Sequence, residues 1–340
     1  MGKPEKKEDV KLDNRKSLDL NPLVSIIVIT YNSSKYVLET LESAKAQTYQ
    51  NIELIVSDDG STDNTIEICK IWIEKNKDRF VKTEIITVEK NTGIPANCNR
   101  GLYASRGIWI KLIAGDDMLM TDCIDTNLLF ILYNQNKNIK ILHSSMEYYS
   151  NYFTADKFIK IRPLANNIIT YTKITSQSQY KLLLRSCLVK APSVFAAKEL
   201  YTNLGGFDER LAIEDWPMWL KICSNGIKIH YLDKPTIKYR VRSDSVCNEK
   251  IADKIFNNHF IRERAVYEKY IFPNIPFFEK TFLQIHFLRL EFLSKHFSNK
   301  NYLNRLISKV SAIPYWLYYN HYLRIIHLII KRKIKGDEIH

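Results

Sequence analysis

Two pairs of neighbouring aspartates each follow a short apolar run. Asp58-Asp59 comes directly after residues 52–57 (IELIVS), and Asp116-Asp117 follows residues 108–115 (IWIKLIAG). Adjacent carboxylates offer hard oxygen ligands for Mg²⁺ or Mn²⁺, which usually also binds ligand phosphates. A carboxylate can equally accept the imide N–H of a uracil-like base. The two pairs therefore predict a polar, metal-assisted ligand site, provided that the fold brings them to one edge.

A third acidic pair, Glu214-Asp215, stands behind a glycine loop at 204–209 (LGGFDE), where a helix is predicted to start. The helix dipole explains one acid in a first helical turn. It explains two acids followed by Trp216 less well. A carboxylate at this position can instead act as a general base towards a hydroxyl group.

Strand-like and helix-like segments alternate through the first half of the chain. Apolar patterning predicts strands at 24–30, 52–57, 84–88 and 108–114, and helices at 35–46, 63–75, 96–104 and 123–134. This alternation predicts an α/β fold with a doubly wound, mostly parallel sheet flanked by helices. Ligands bind such sheets beyond the carboxyl ends of the strands, where both aspartate pairs would lie.

The second half of the chain is less regular. The sequence predicts a strand at 191–197, a helix at 214–224 and strands at 227–232 and 236–241, and it shows no readable pattern over 146–190. From residue 247 onward the pattern is helical, basic and rich in aromatic side chains.

Length, charge and cysteine usage limit the function classes. A chain of 340 residues predicts one large domain with an appendage, or two domains. The net charge of +13 predicts an anionic partner, which is nucleic acid, a membrane surface or a phosphorylated substrate. Six cysteines without C-x-x-C spacing argue against a zinc site and are typical of a reducing cytosol. The polar segment 1–20 predicts disorder rather than a secretory signal.

Taken together, the motifs resemble those of a family 2 glycosyltransferase over about residues 22–245. The motifs are SIIVITYN at 25–32, DDGSTDNT at 58–65, Asn91-Thr92-Gly93 with Asn99, Asp116-Asp117, GGFDE at 205–209 and Glu214-Asp215-Trp216. The resemblance implies a GT-A fold with a helical C-terminal region. It also implies an inverting single displacement from a nucleoside-diphosphate sugar, for which we expect a UDP-linked donor.

The resemblance also implies a role for each matching residue. Thr30 and Tyr31 would flank the nucleobase, and Asp59 would bind its ring. Asp117, together with Asp116, would hold the metal and the donor sugar, with Mn²⁺ or Mg²⁺ as the cofactor. Asp215 would be the catalytic base, with Glu214 beside it at the acceptor. The remaining residues predicted to bind the donor are Asn32, Asp58, Asn91, Gly93, Asn99 and Arg242. The implied domains are a polar tail at 1–20, a GT-A domain at 21–246 and a basic, aromatic-rich helical region at 247–340.

Two positions depart from the family pattern. The family often carries an arginine before the asparagine that corresponds to Asn99, and this chain has Cys98 there. The family often shows Tyr-Arg-x-His after its last core strand, and this chain ends that motif with Arg242. Arginine cannot bind a metal but can hold phosphate oxygens directly. We therefore hypothesise that Arg242 takes over part of the role of the metal.

The tail at 314–335 predicts an amphipathic helix. Tyr315, Tyr319, Tyr322, Ile326 and Ile329 share one side, and the chain becomes basic after them. This pattern fits an interfacial membrane helix, and equally a helix packed on the catalytic domain. No recognition-helix or RNP-like pattern favours nucleic acid. We expect a cytoplasmic protein, with peripheral contact on the inner face of the cell membrane if the first alternative holds.

Two other function classes stay open at this point. A non-catalytic component that binds a nucleotide sugar within a glycan assembly complex would share the same motifs. A nucleotidyltransferase would share a doubly wound sheet, but the chain has no glycine-rich phosphate loop near its N-terminus. The favoured interpretation is a transferase that acts on a glycan or a lipid-linked acceptor.

Overall fold

A computed structural model describes residues 21–163, 167–242, 259–297 and 302–318, together with positions 324–325, 328–329 and 332. The predicted disordered tail at 1–20 lies outside these residues, as does much of the predicted tail helix.

The described residues form a mixed α/β structure. The strands are β1 (Val24–Thr30), β2 (Ile52–Asp58), β3 (Lys82–Ile86), β4 (Trp109–Ala114), β5 (Met118–Leu119), β6 (Ile141–Ser150), β7 (Phe158–Arg162), β8 (Val194–Ala197) and β9 (His230–Val241). The helices are α1 (Val37–Lys45), α2 (Thr65–Asn76), α3 (Ile94–Ala104), α4 (Cys123–Tyr133), α5 (Ser176–Leu183), α6 (Lys198–Asn203), α7 (Asp215–Ser224), α8 (His259–Val266), α9 (Phe277–His296), α10 (Tyr302–Ser311) and α11 (Ile313–Leu317).

The strands form one sheet in the order β3-β2-β1-β4-β8-β6-β9-β5, with β7 paired to β6. The pairs β3-β2, β2-β1 and β1-β4 are parallel, and the helices α1, α2 and α3 connect the successive strands β1 to β4. β1 and β2 are almost completely buried, as expected for apolar, β-branched strands with helices on both faces. The α/β expectation is confirmed by this half of the sheet.

The other half of the sheet is where the structure departs from expectation. β8 runs antiparallel to both β4 and β6, and it begins at Val194 rather than residue 191. The two strands predicted at 227–232 and 236–241 are one continuous strand, β9, whose pairing with β6 shifts register near Ser145. The turn residues Asp233 and Lys234 therefore form an irregularity within a strand and not a loop between two strands.

Helices cover both faces of the sheet and enclose two apolar clusters. Side chains of α1, α2 and α4 pack on one face, with Leu41 and Ile124 fully buried. Side chains of α3, α5 and α7 pack on the other face, together with Tyr267, Phe272 and Phe287 from the C-terminal region. Within the described parts of the chain, none of the helices is long and apolar enough to cross a membrane.

Candidate functional site

The first two aspartate pairs lie next to each other at one edge of the sheet. β2 and β4 lie on either side of β1, and Thr30 at the end of β1 is in register with Asp58. The backbone N–H of Asp59 donates to the carbonyl of Thr30 at 3.0 Å, and that of Gly115 donates to the carbonyl of Ile29 at 2.9 Å. The carboxyl ends of these strands therefore carry both pairs, as the sequence predicted.

Asp58 is fully buried and holds the turn that follows β2. It accepts hydrogen bonds from the Thr30 hydroxyl at 2.8 Å and from the backbone N–H of Ser61 at 2.8 Å. Asn32 also binds this turn, since its side-chain oxygen accepts from the backbone N–H of Thr62 at 2.9 Å. The contacts of both residues shape the wall of the site. In their present positions both side chains bind groups of the protein. Tyr31, by contrast, is 48% exposed at the rim.

Asp59 is 2% exposed and is surrounded by hydrogen-bond donors. It accepts from the Thr92 hydroxyl at 2.7 Å, the Gly93 backbone N–H at 2.8 Å and the Arg100 guanidinium at 2.6 Å. Burial acts to raise the pKa of Asp59, but the hydrogen bonds from Thr92, Arg100 and Gly93 outweigh it and hold the pKa below its usual value. A nucleobase that binds Asp59 must therefore share or displace one of these donors.

Arg100 is a site residue that the motif comparison missed. It also donates to the Thr92 hydroxyl at 2.7 Å, so it joins α3 to the loop before it. The family-pattern position, Cys98, is only 4% exposed and packs in the core. The spacing of the sequence does not indicate this contact, because Thr92 lies in the loop before α3 and Arg100 lies within the helix.

The segment that contains Asn91, Gly93 and Asn99 connects the surroundings of Asp59 to the glycine loop at 205–209. Asn91 accepts from the backbone N–H of Gly93 at 3.1 Å, which shapes the start of α3. Asn99 exchanges hydrogen bonds with the backbone of Phe207 at 2.8 and 2.9 Å. A Cβ atom at Gly206 would stand 2.6 Å from the Asn99 side chain, so this close approach requires glycine. Asn99 therefore holds the loop in place.

Asp116 and Asp117 form the second acidic group, in contact with β9. The Arg240 backbone N–H donates to a carboxylate oxygen of Asp117 at 2.8 Å, and the Arg240 guanidinium binds the carbonyl of Asp116 at 2.7 Å. The Arg242 guanidinium lies 3.5 Å from a carboxylate oxygen of Asp116. Burial, and then the charge of Asp116, raise the pKa of Asp117 well above its usual value. Two neighbouring carboxylates therefore lie beside two arginines, Arg240 and Arg242.

Asp215 begins α7 and faces the loop that precedes β8. One carboxylate oxygen accepts from the backbone N–H of Trp216 at 2.6 Å, and the other lies 3.6 Å from the Cys187 thiol. The indole N–H groups of Trp216 and Trp219 bind backbone carbonyls of the segment 183–189, at 2.6 and 3.0 Å. These bonds fix the start of α7 against that segment and so orient the carboxylate.

The neighbouring acids Glu214 and Asp215 differ in their electrostatics. Burial, and then the negative charge of Asp215, raise the pKa of Glu214 to about 8. Burial also raises the pKa of Asp215, but the charge of Lys190 and hydrogen bonds from Trp216 and Cys187 oppose that rise. Glu214 is therefore mostly protonated at neutral pH, whereas the rise in the pKa of Asp215 is opposed by its neighbours. Lys190 is a second residue that motif reasoning missed.

The glycine loop is also fixed to the C-terminal region. Asp208 is 7% exposed and accepts hydrogen bonds from the Tyr270 hydroxyl at 2.8 Å and the Arg210 guanidinium at 2.9 Å, with Lys269 as a third partner. Burial acts to raise the pKa of Asp208, but these three partners outweigh it and lower the pKa. The C-terminal helices are thereby attached to the glycine loop at 205–209.

Known proteins share both the sequence pattern and the fold. The profile of the family described as "Glycosyl transferase family 2" matches residues 25–171. An uncharacterized glycosyltransferase of Haemophilus influenzae is 30% identical over 255 residues, which cover 74% of this chain and 93% of that one. The UDP-Glc:alpha-D-GlcNAc-diphosphoundecaprenol beta-1,3-glucosyltransferase WfaP of Escherichia coli is 29% identical over 246 residues, 72% of this chain and 87% of that one.

Among solved structures, S. aureus TarS 1–349 superposes with a TM-score of 0.54 at 20% identity, over 93% of this chain and 91% of that one. The complex of the same fragment with UDP-GlcNAc superposes with a TM-score of 0.56 at 21% identity, over 79% and 72% of the two chains. These structures share the fold of this chain, and the sequence matches identify its family. The chain belongs to glycosyltransferase family 2 and is a glycosyltransferase.

Proposed function

We propose that this glycosyltransferase moves a sugar from a UDP-linked donor to a hydroxyl of a glycan or lipid-linked acceptor, by a single displacement with inversion. The TarS complexes with UDP-GlcNAc and with UDP support the donor class. The name of WfaP, which specifies a UDP-glucose donor and a diphosphoundecaprenol-linked acceptor, supports a lipid-linked acceptor. Such an acceptor would place the enzyme in the cytoplasm at the inner face of the cell membrane, in line with the tail predicted at 314–335.

The observation that carries this proposal is the carboxylate of Asp215, which the Trp216 backbone N–H fixes at the start of α7 at 2.6 Å, beside Glu214, whose pKa is raised to about 8. A sugar hydroxyl is a weak nucleophile and needs a base within hydrogen-bond reach. Asp215 would take the acceptor proton while the acceptor oxygen bonds to the anomeric carbon and the bond from that carbon to the diphosphate breaks. Glu214 would hold an acceptor hydroxyl in place by donating or accepting a hydrogen bond.

The donor would lie along the carboxyl ends of β2, β1 and β4. Thr30 and the exposed ring of Tyr31 would flank the base, while Asp59 would accept its imide N–H after one present donor moves aside. Asn91 and Gly93 would contribute through the loop that also donates to Asp59. On the opposite side, Asp116, Asp117 and Arg242 would face the diphosphate.

The side chains of Asp116 and Asp117 fit a divalent cation. They are two neighbouring carboxylates, and mutual repulsion contributes to the raised pKa of Asp117, which a bound cation would relieve. In the parts of the chain that the structure describes, no group of three or more potential His, Cys, Asp or Glu ligands occurs. Mg²⁺ and Mn²⁺ suit such a site, since they take remaining ligands from water and substrate phosphates. The chemistry supplied on binding would be neutralisation of the charge on the leaving diphosphate.

A screen of nucleotide sugars tests the proposal. Thermal shift with and without Mn²⁺ identifies the donors that bind, and release of the nucleoside diphosphate then reports turnover. We expect a UDP-sugar to stabilise the protein and to be consumed slowly even onto water. Stabilisation without release, under every acceptor and metal condition, would instead support the non-catalytic binding component.

A further inference from the structure

The helix α9 is apolar on two sides. Its inward side chains Leu283, Phe287 and Leu293 are buried on the core. On a different side, Ile285, Leu288 and Phe292 are 61%, 58% and 56% exposed. These three positions are three and four residues apart, so they form a continuous stripe. Contiguous exposed apolar side chains mark an interaction surface, and the outer stripe of α9 would be stabilised by burial against a partner.

The helices α10 and α11 carry a second exposed stripe. Their inward side packs on α9, where Tyr315 stacks on His286 at 3.6 Å and the Tyr318 hydroxyl donates to Glu279 at 2.6 Å. The opposite side is apolar, and its members are Leu303 (61% exposed), Leu306 (45%), Val310 (56%), Ile313 (51%) and Leu317 (45%). We call the two stripes together, from Ile285, Leu288 and Phe292 to these five residues, the C-terminal apolar surface.

Positive charge is concentrated in the same part of the sequence. Residues 270–335 contain eleven lysines and arginines against two glutamates, a surplus of nine in a chain whose net charge is +13. Lys295 on α9 and Lys309 on α10 are exposed. Arg324 and Arg332, further along the chain, are exposed as well. Tyr302 at 83% and Trp316 at 58% exposure add aromatic rings of the kind that sit at membrane interfaces.

We propose that the C-terminal apolar surface docks onto an anionic lipid bilayer. The apolar stripes would enter the boundary between headgroups and acyl chains, and the basic side chains would contact the lipid phosphates. The surplus of positive charge works against the other plausible cover, a second copy of the same surface. The acidic surface of a partner protein would neutralise the positive charge. It would not bury the two long apolar stripes.

Docking in this way would fix the position of the active site relative to the bilayer. The same C-terminal region holds the glycine loop through the contact of Tyr270 with Asp208 at 2.8 Å, and α9 contacts α5's end through Glu279 and Arg185 at 2.9 Å. The loop at 205–209 and the start of α7 would thus be held at a fixed distance from the bilayer. This orientation rests on the proposed lipid-linked acceptor, whereas docking itself does not.

Vesicle co-sedimentation of the full chain tests docking without any sugar nucleotide. We expect binding to phosphatidylcholine vesicles that contain about one third phosphatidylglycerol, and weakening in high salt because the attraction is screened. The double variant Leu288→Gln/Phe292→Gln should lower the vesicle partition coefficient roughly tenfold or more, since it removes two apolar side chains that would be buried in the bilayer. The matched control Tyr133→Gln, at an 82% exposed position on α4, should bind like the parent.

Absence of vesicle binding by the parent, or equal binding by the double variant, would overturn the proposal. So would a concentration-dependent dimer, measured by analytical ultracentrifugation, that the double variant abolishes. Because the assay has no donor, a protein that binds vesicles but transfers no sugar would contradict the proposed function and leave docking intact.

Discussion

A guanidinium nitrogen of Arg100 lies 2.6 Å from a carboxylate oxygen of Asp59, the residue expected to recognise the nucleobase. The family pattern has its arginine two positions earlier, where this chain has the buried Cys98. The chain therefore supplies positive charge to Asp59 from another position of the same helix. Arg100 reaches Asp59 and Thr92 together, which ties the acid to the loop that forms the edge of the site.

Removal of Arg100 should weaken donor binding. We expect Arg100→Ala to raise the dissociation constant of UDP roughly tenfold, the scale of one charge-assisted hydrogen bond, and to leave kcat nearly unchanged. Isothermal titration with UDP measures the effect, with Arg106→Ala at a nearby exposed position as the control. Equal or tighter binding in Arg100→Ala would mean that Arg100 competes with the base for Asp59.

Removal of Lys190 should change the pH dependence of transfer. The charge of Lys190 acts to lower the pKa of Asp215, so its loss lets that pKa rise further. The base is then ionised only at higher pH, and the acidic limb of kcat/KM should move upward in Lys190→Met while the rate on the alkaline side is retained. The control Lys181→Met, at an exposed position on α5, should keep the parent profile. An acidic limb that does not move would exclude this electrostatic role.

Substitution of Arg242 should change the metal requirement. Its guanidinium lies 3.5 Å from Asp116, at the place where the family often has a histidine. If Arg242 takes over part of the role of the metal, the parent should keep a measurable rate in chelator. Arg242→His should lose that rate roughly tenfold or more while it stays active with Mn²⁺, because the new side chain can bind a metal but carries less charge. Arg242→Ala should be impaired in both conditions.

An Arg242→Ala variant that turned over at the parent rate, with and without chelator, would refute the shared role. Arg242→Lys provides a further control, since it keeps the charge but loses the planar fork that binds phosphate oxygens. Partial activity in this variant would separate the contribution of charge from that of geometry.

The sequence predicted the parallel half of the fold because local patterning determines it. Each of β1, β2 and β4 is an apolar run followed by an amphipathic helix, and short crossovers leave few alternative topologies. In the other half of the sheet the sequence predicted β8 and β9 but not β7, because β7 is exposed along most of its length and pairs with β6. A strand with one partner and no buried face lacks the alternation that marks a half-buried strand.

In the candidate site, too, local patterns predict some residues, and others depend on distant contacts. Asp59, Asp117 and Asp215 could be placed because each follows a recognisable strand end or helix start. Arg100 and Lys190 could not, since their effects depend on which distant carboxylate they reach, and spacing in the sequence does not encode that. For the tail, the pattern left open whether the side with Tyr315 meets a membrane or packs on the catalytic domain, and Tyr315 packs on His286 at 3.6 Å.

The central claim is that Asp215 is the base for sugar transfer. Asp215→Asn keeps the size of the side chain and removes its basicity, so transfer with the best donor should fall roughly 100-fold to 10,000-fold. Donor binding by isothermal titration should stay at the parent value, as should transfer by the control Asp233→Asn at an exposed position on β9. Measured transfer near the parent rate in Asp215→Asn, with unchanged donor binding, would contradict the account.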